Sequence, residues 1–180
     1  ADASLFDHAN WRLCALQALG LRDFEAMTTD YFERDDPRLV EFIARHSLPR
    51  RGILASPDEI LVTLGAQNAL WLASEVLLAR GKKAVIESPC YPGLSNILER
   101  TEAEIAHIPV DKGGMPVEAI PPNSDVVFVT PSHHCPTSVT MPLERRQALL
   151  ARANKDDFVV VEDDYEFEMT FLKPPSPALK

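Results

Sequence analysis

An α/β domain with a mainly parallel sheet and helices on both faces is the fold class that this 180-residue sequence predicts. Three observations carry it. Five short runs rich in Val and Ile are apolar almost without interruption, the pattern of strands buried on both faces. Apolar segments of helical length stand between most of them, and that alternation defines a layered α/β domain. The composition, 46% hydrophobic and 25% charged, is that of a folded domain with a core.

The predicted strands are ILVTLG (60–65), AVIES (84–88), EIAHIPVD (104–111), DVVFVTP (125–131) and FVVVEDD (158–164). The predicted helices of the sheet domain are AQNALWLASEVLLAR (66–80), stopped by Gly81, PGLSNILER (92–100) and LERRQALLARAN (143–154). Two further helices are expected earlier, over 10–20 and over 36–46, where Pro37 suits a first helical turn. They make an N-terminal helical arm of residues 1–50, leaving 51–180 for the sheet domain.

The net charge of −9 argues against binding of DNA or an anionic membrane by this chain itself. No apolar run nears the length of a membrane span, and the N-terminal residues lack the basic start and apolar stretch of a signal peptide. Cys14, Cys90 and Cys135 are odd in number and show no CxxC spacing, so a reducing, cytoplasmic setting is expected.

In open parallel sheets ligands bind beyond the carboxyl ends of the strands, so the turns there hold the candidate residues. Gly65, Ala66 and Gln67 open a helix, where free N–H groups favour an anion; a plain tight turn is the alternative. Neither GxGxxG nor GxxxxGK[ST] is present. Tyr91, between Pro89 and Pro92 in SPCYPG, can stack on a flat ligand or cover the sheet edge. His133, His134 and Cys135 invite a metal, but neighbours in an extended loop point apart, and a loop that shapes or hydrogen-bonds a ligand fits better. In VVVEDDYEFE, alternation puts Asp163 and Tyr165 on one face and Glu162 and Asp164 on the other. A carboxylate beside a phenol can grip a ring that carries a basic nitrogen and a hydroxyl. A Mg²⁺ site of the receiver-domain kind is the rival, with only 16 residues left after Asp164 to complete such a domain. Glu166 and Glu168 read as solvated.

TLGAQNAL, ESPCYPG, TPSHHCPTSVTMPLERR and VVVEDDYEFE, in this order, resemble the aminotransferase-like domain of MocR-type regulators, a branch of the GntR family. SLF…W near the start and PPSPALK at the end match too. That domain resembles fold type I pyridoxal-phosphate aminotransferases. The resemblance implies the first, incomplete part of such a large domain, with pyridoxal 5'-phosphate as cofactor. It implies phosphate contacts from Gly65, Ala66 and Gln67, stacking by Tyr91, and the loop at His133 beside the ring hydroxyl. Asp163 would pair with the pyridinium nitrogen and Tyr165 with the hydroxyl.

The sequence departs from the family in three ways. Cys135 and Ser138 stand where an NPTG loop has Asn and Gly, which weakens transamination. The Schiff-base lysine and the substrate-binding arginine are expected beyond Lys180, neither Lys173 nor Lys180 being in the right motif. The winged-helix DNA-binding domain that such regulators carry is not among residues 1–180; one encoded before Ala1 would support the regulator, a direct start near Ala1 the enzyme. The expectation is a fragment of an effector-sensing regulator domain, dimeric in the intact protein and responsive to an amine or amino acid. As it stands it would be inactive and bind the cofactor weakly or not at all. The alternative is a fragment of an aminotransferase acting on amino acids.

Overall fold

The computed structural model of the chain describes residues 4, 6–30, 33–165 and 176–179. Glu166, Glu168, Lys173 and Lys180 lie outside them. The chain divides into two units, residues 1–39 and 40–180.

In the first unit α1 (His8–Ala18) starts where the Asp7 carboxylate accepts from the Asn10 N–H at 3.1 Å, an N-cap that sets its start two residues before the expected one. A second helix, α2 (Leu21–Thr28), was not expected. The Thr28 and Thr29 hydroxyls donate back to carbonyls of its last turn, at 2.9 Å and 2.7 Å. The helix expected over 36–46 is α3 (Pro37–Phe42), followed by one wide turn over Ile43–Ser47 and a tight turn over Leu48–Arg51.

The second unit is built on four parallel strands, β1 (Lys83–Ser88), β2 (Glu104–Pro109), β3 (Val126–Val129) and β4 (Val159–Glu162), in the order β2-β1-β3-β4. Helix α5 (Pro92–Leu98) connects β1 to β2, and α6 (Leu143–Asp156) connects β3 to β4. Before them comes α4 (Ala66–Leu77). It ends four residues ahead of Gly81, whose positive φ of 84° serves the turn into β1.

Alternation along the strands sorts the core into two layers. Ala84, Ile86, Val126 and Phe128 pack with Leu70 of α4 and Leu94, Ile97 and Leu98 of α5. Val85, Val127 and Val129 pack on the other face with Leu149 of α6, Met115, Ile120, Met141 and Leu179. Both faces are therefore covered, which is why these strands are apolar at successive positions.

The strand expected over 60–65 does not form. Ile60 is extended, but residues 60–65 join no ladder, and Leu61 and Leu64 are 70% and 94% exposed. Apolar alternation gives a segment an extended preference; a strand exists only where a neighbour takes its N–H and C=O groups. Among the described residues, no helix is long and apolar enough to cross a membrane.

Candidate functional site

The strand order reverses at β1 and β3, whose following connections leave toward opposite edges of the sheet. A cleft opens at their carboxyl ends, at the position such a reversal creates. It is lined by Leu70 of α4, Glu87 at the end of β1, Cys90, Tyr91 and Leu94 of the next turn and helix, Phe128, Val129 and Thr130 of β3, and Asp163 beyond β4. The walls are mostly apolar, and the polar groups converge on one end.

Asp163 is placed by the ladder. Val129 pairs with Glu162, and the next N–H, that of Asp163, donates to the Val129 carbonyl at 2.9 Å. Its parity is that of Val161, which packs with the α4 and α5 layer, so its side chain reaches the cleft on that face. Burial pushes its carboxyl above the usual carboxylate range, and the neighbouring Asp164 adds to the rise. No described residue gives that carboxylate a hydrogen bond or a cation.

Tyr91 caps the cleft from the start of α5. A Cβ on Gly93 would lie 2.3 Å from the Tyr91 ring, so the ring covers the glycine at a distance that no other residue permits. The ring is 37% exposed and can swing outward. Free space within the cleft is about 10 Å³, the room of one water, so anything larger requires a lining side chain to move.

Gly65 stands at the N-cap of α4 with φ +85°, and nothing lies within 4 Å of where its Cβ would be. Asn68 and Ala69 already donate to the Gly65 carbonyl, while the first-turn N–H groups of Ala66 and Gln67 have no acceptor one turn back. The Gln67 side chain lines a separate, open hollow with Trp71, Asn96 and Arg100. His133 and Tyr165 form a further pair, ring centroids 6.3 Å apart and edge to face. Of the seven residues expected to hold the ligand, Tyr91 and Asp163 thus share the cleft. His133 and Tyr165 pair outside its lining, and Gly65, Ala66 and Gln67 stand at the helix start.

Glu87 escaped the sequence reading. It is 4% exposed; its carboxylate accepts from the Thr130 N–H at 2.9 Å and hydroxyl at 2.6 Å, tying the end of β1 to the end of β3. His134 Nε2 stands 3.5 Å away, and the other ring nitrogen meets the Thr137 hydroxyl at 2.6 Å. Burial raises the Glu87 carboxyl, against the hydrogen bonds from Thr130. The available signal was an acid inside AVIES, a strand otherwise apolar. Among the described residues no three His, Cys, Asp or Glu side chains are placed to hold a metal.

Sheet, switch point and cleft together define an α/β domain with a ligand cleft at the carboxyl ends of its strands. The family model for aminotransferase class I and II matches residues 17–166, and the chain belongs to that family. Over all 180 residues it is 54% identical to the HTH-type transcriptional regulator TauR of Rhodobacter capsulatus, of which it covers 37%. It is 36% identical over 138 residues, 77% of this chain, to the HTH-type pyridoxine biosynthesis transcriptional regulator PdxR of Corynebacterium glutamicum, covering 30% of that protein. The chain thus spans about a third of the length of these relatives. Among solved structures, the α-aminoadipate aminotransferase LysN of Thermus thermophilus, complexed with N-(5'-phosphopyridoxyl)-L-leucine, superposes with a TM-score of 0.83 and 26% identity. That match takes in 98% of this chain and 45% of the other.

Proposed function

We propose that this chain is the cofactor-holding part of an effector-sensing domain in a transcriptional regulator, and that its cofactor is pyridoxal 5'-phosphate. The observation that carries the reading is Asp163: a half-buried carboxylate without a partner among the described residues, in a cleft roofed by an aromatic ring. Such a carboxylate favours a cation, and a protonated pyridine nitrogen supplies one with a donor attached. When bound, the cofactor supplies a carbonyl that reacts with amines.

The chain's own residues bind and orient. Asp163 holds the ring proton, Tyr91 covers the ring face, and the apolar walls from Leu70, Leu94 and Phe128 keep water away. Tyr165 and His133 border the ring's hydroxyl side. The first-turn N–H groups of Ala66 and Gln67, with the open backbone at Gly65, receive the phosphate.

The 54% identity to a regulator along the whole chain favours sensing over turnover, as does Cys135 in the loop where aminotransferases carry Asn. In the intact protein an amine or amino-acid effector would shift the balance between two conformations, and a DNA-binding part would read the shift. The Schiff-base lysine would lie outside residues 1–180, a homodimer is the expected assembly and the cytoplasm its setting. The test is a titration of the chain with pyridoxamine 5'-phosphate, which needs no lysine. Saturable 1:1 binding is expected; no binding at millimolar ligand refutes the reading. Formation of a 2-oxo acid from an added amino acid by the intact protein would favour the aminotransferase alternative.

A further inference from the structure

Arg51 lies far in sequence from every cleft residue, yet it is 2% exposed and its guanidinium reaches both loops that border the cleft. One terminal nitrogen pairs with the Asp164 carboxylate, stands 3.6 Å from Glu162 Oε1 and donates to the Ser132 hydroxyl at 3.1 Å. The other donates to the Ser176 carbonyl. These partners flank the proposed ligand residues in sequence. Ser132 precedes His133; Glu162 and Asp164 bracket Asp163; Asp164 precedes Tyr165.

The same cluster is closed from below. Arg146, 5% exposed, donates to the carbonyls of Met141, Pro131 and Pro177 at 2.8–3.0 Å. Glu162 accepts from the Leu179 N–H at 2.8 Å, and the Ala178 N–H donates to the Arg51 carbonyl at 2.8 Å. Among the described residues the bond from the Asp163 N–H to the Val129 carbonyl is the last rung of this ladder, and the chain after it is held by side chains. Two carboxylates held on one side of an extended chain send the residue between them to the other.

We propose that Arg51 is the positioning residue of the cleft: by gathering Glu162, Asp164 and Ser132 on one side, it aims Asp163 at the ligand ring and fixes the His133 loop beside it. This rests on the cofactor reading above, and the test separates the two.

Two variants keep the chain foldable. Arg51→Lys retains the charge but not the planar fork that spans four partners. The double variant Arg51→Gln with Asp164→Asn removes one charge of each sign and leaves Glu162 the Leu179 N–H and the charge of Arg146. In both, a cooperative melt and wild-type far-UV circular dichroism are expected. Affinity for pyridoxamine 5'-phosphate falls about tenfold or more. The ¹⁵N shift of the bound, labelled ring nitrogen moves toward the unprotonated value, and affinity for inorganic phosphate stays within about twofold. A folded variant with wild-type affinity and a protonated ring overturns the proposal, as does an equal loss of inorganic phosphate binding. If the wild-type chain binds no pyridoxamine phosphate, the cofactor reading fails, and hydrogen exchange decides the positioning. The Asp163 N–H then loses protection in both variants while Val127 keeps it; unchanged protection at Asp163 overturns the proposal.

Discussion

Replacing Asp163 by Asn tests the cleft most directly, because ligand affinity and free-chain stability should move in opposite directions. The substitution keeps size and removes charge. In the free chain that charge is a burden: it is half buried, has no partner among the described residues and sits beside Asp164. Its carboxyl is raised in the folded state, so between the ordinary and the raised value the native chain binds more protons than the unfolded one. Stability therefore falls as pH rises through that window and stays lowered above it. Asp163→Asn removes this loss, so the variant should melt higher than wild type at neutral pH and equally below the ordinary carboxylate value. Ligand binding reverses the sign. A charge-assisted hydrogen bond to a pyridinium contributes about 1.5–3 kcal/mol, so affinity for pyridoxamine 5'-phosphate should fall about ten- to a hundredfold. The assays are thermal melts across pH and a fluorescence titration, with inorganic phosphate as the control. A variant that melts lower at neutral pH, or binds pyridoxamine phosphate as tightly as wild type, refutes the reasoning.

Three further predictions follow from neighbouring groups. Gly93→Ala places a methyl 2.3 Å from the Tyr91 ring, so the ring must move outward; nitration of Tyr91 should speed up, while helix propensity, about 0.5–1 kcal/mol in favour of Ala, keeps the melting temperature level or higher. A lower melting temperature with unchanged nitration would count against that geometry. Arg146→Leu strands the buried carbonyls of Met141 and Pro131 and the part-buried one of Pro177, and should destabilise the chain by about 3 kcal/mol or more in urea unfolding; a loss below about 1 kcal/mol would show that the 176–179 segment is held by other contacts. Glu87 and Glu162 are raised by burial as Asp163 is, whereas Asp111 and Asp125 are lowered by hydrogen bonds from Arg145 and Lys82. Stability should then rise on mild acidification, as the raised carboxyls take up protons, and fall below the ordinary carboxylate range, as the lowered ones do; a melting temperature that declines steadily from neutral pH downward would contradict this.

The sequence by itself determined the layered α/β class, four of the five expected strands, the helices between them, and the parity of Asp163 along its strand. Each depends on local regularities: apolar runs, helical spacing, punctuation by Pro and Gly, and the alternation that sends Asp163 away from Glu162 and Asp164. Tertiary structure decided the rest. The run at 60–65 has a strand's pattern, but its ladder partner is a property of the whole sheet. Arg51 reads as one more cation in LPRRG; its burial is set by Ser176, 125 positions away, and by the carboxylates beyond β4. Glu87 reads as a polar strand end until β3 brings Thr130 against it. Alternation says which side a residue takes, but a charge becomes buried, paired or left waiting only when distant chain closes around it, because desolvation and ion pairing depend on everything within a few ångströms. That closure makes Glu162 and Asp164 two anchors around Asp163, a carboxylate with no cation beside it among the described residues.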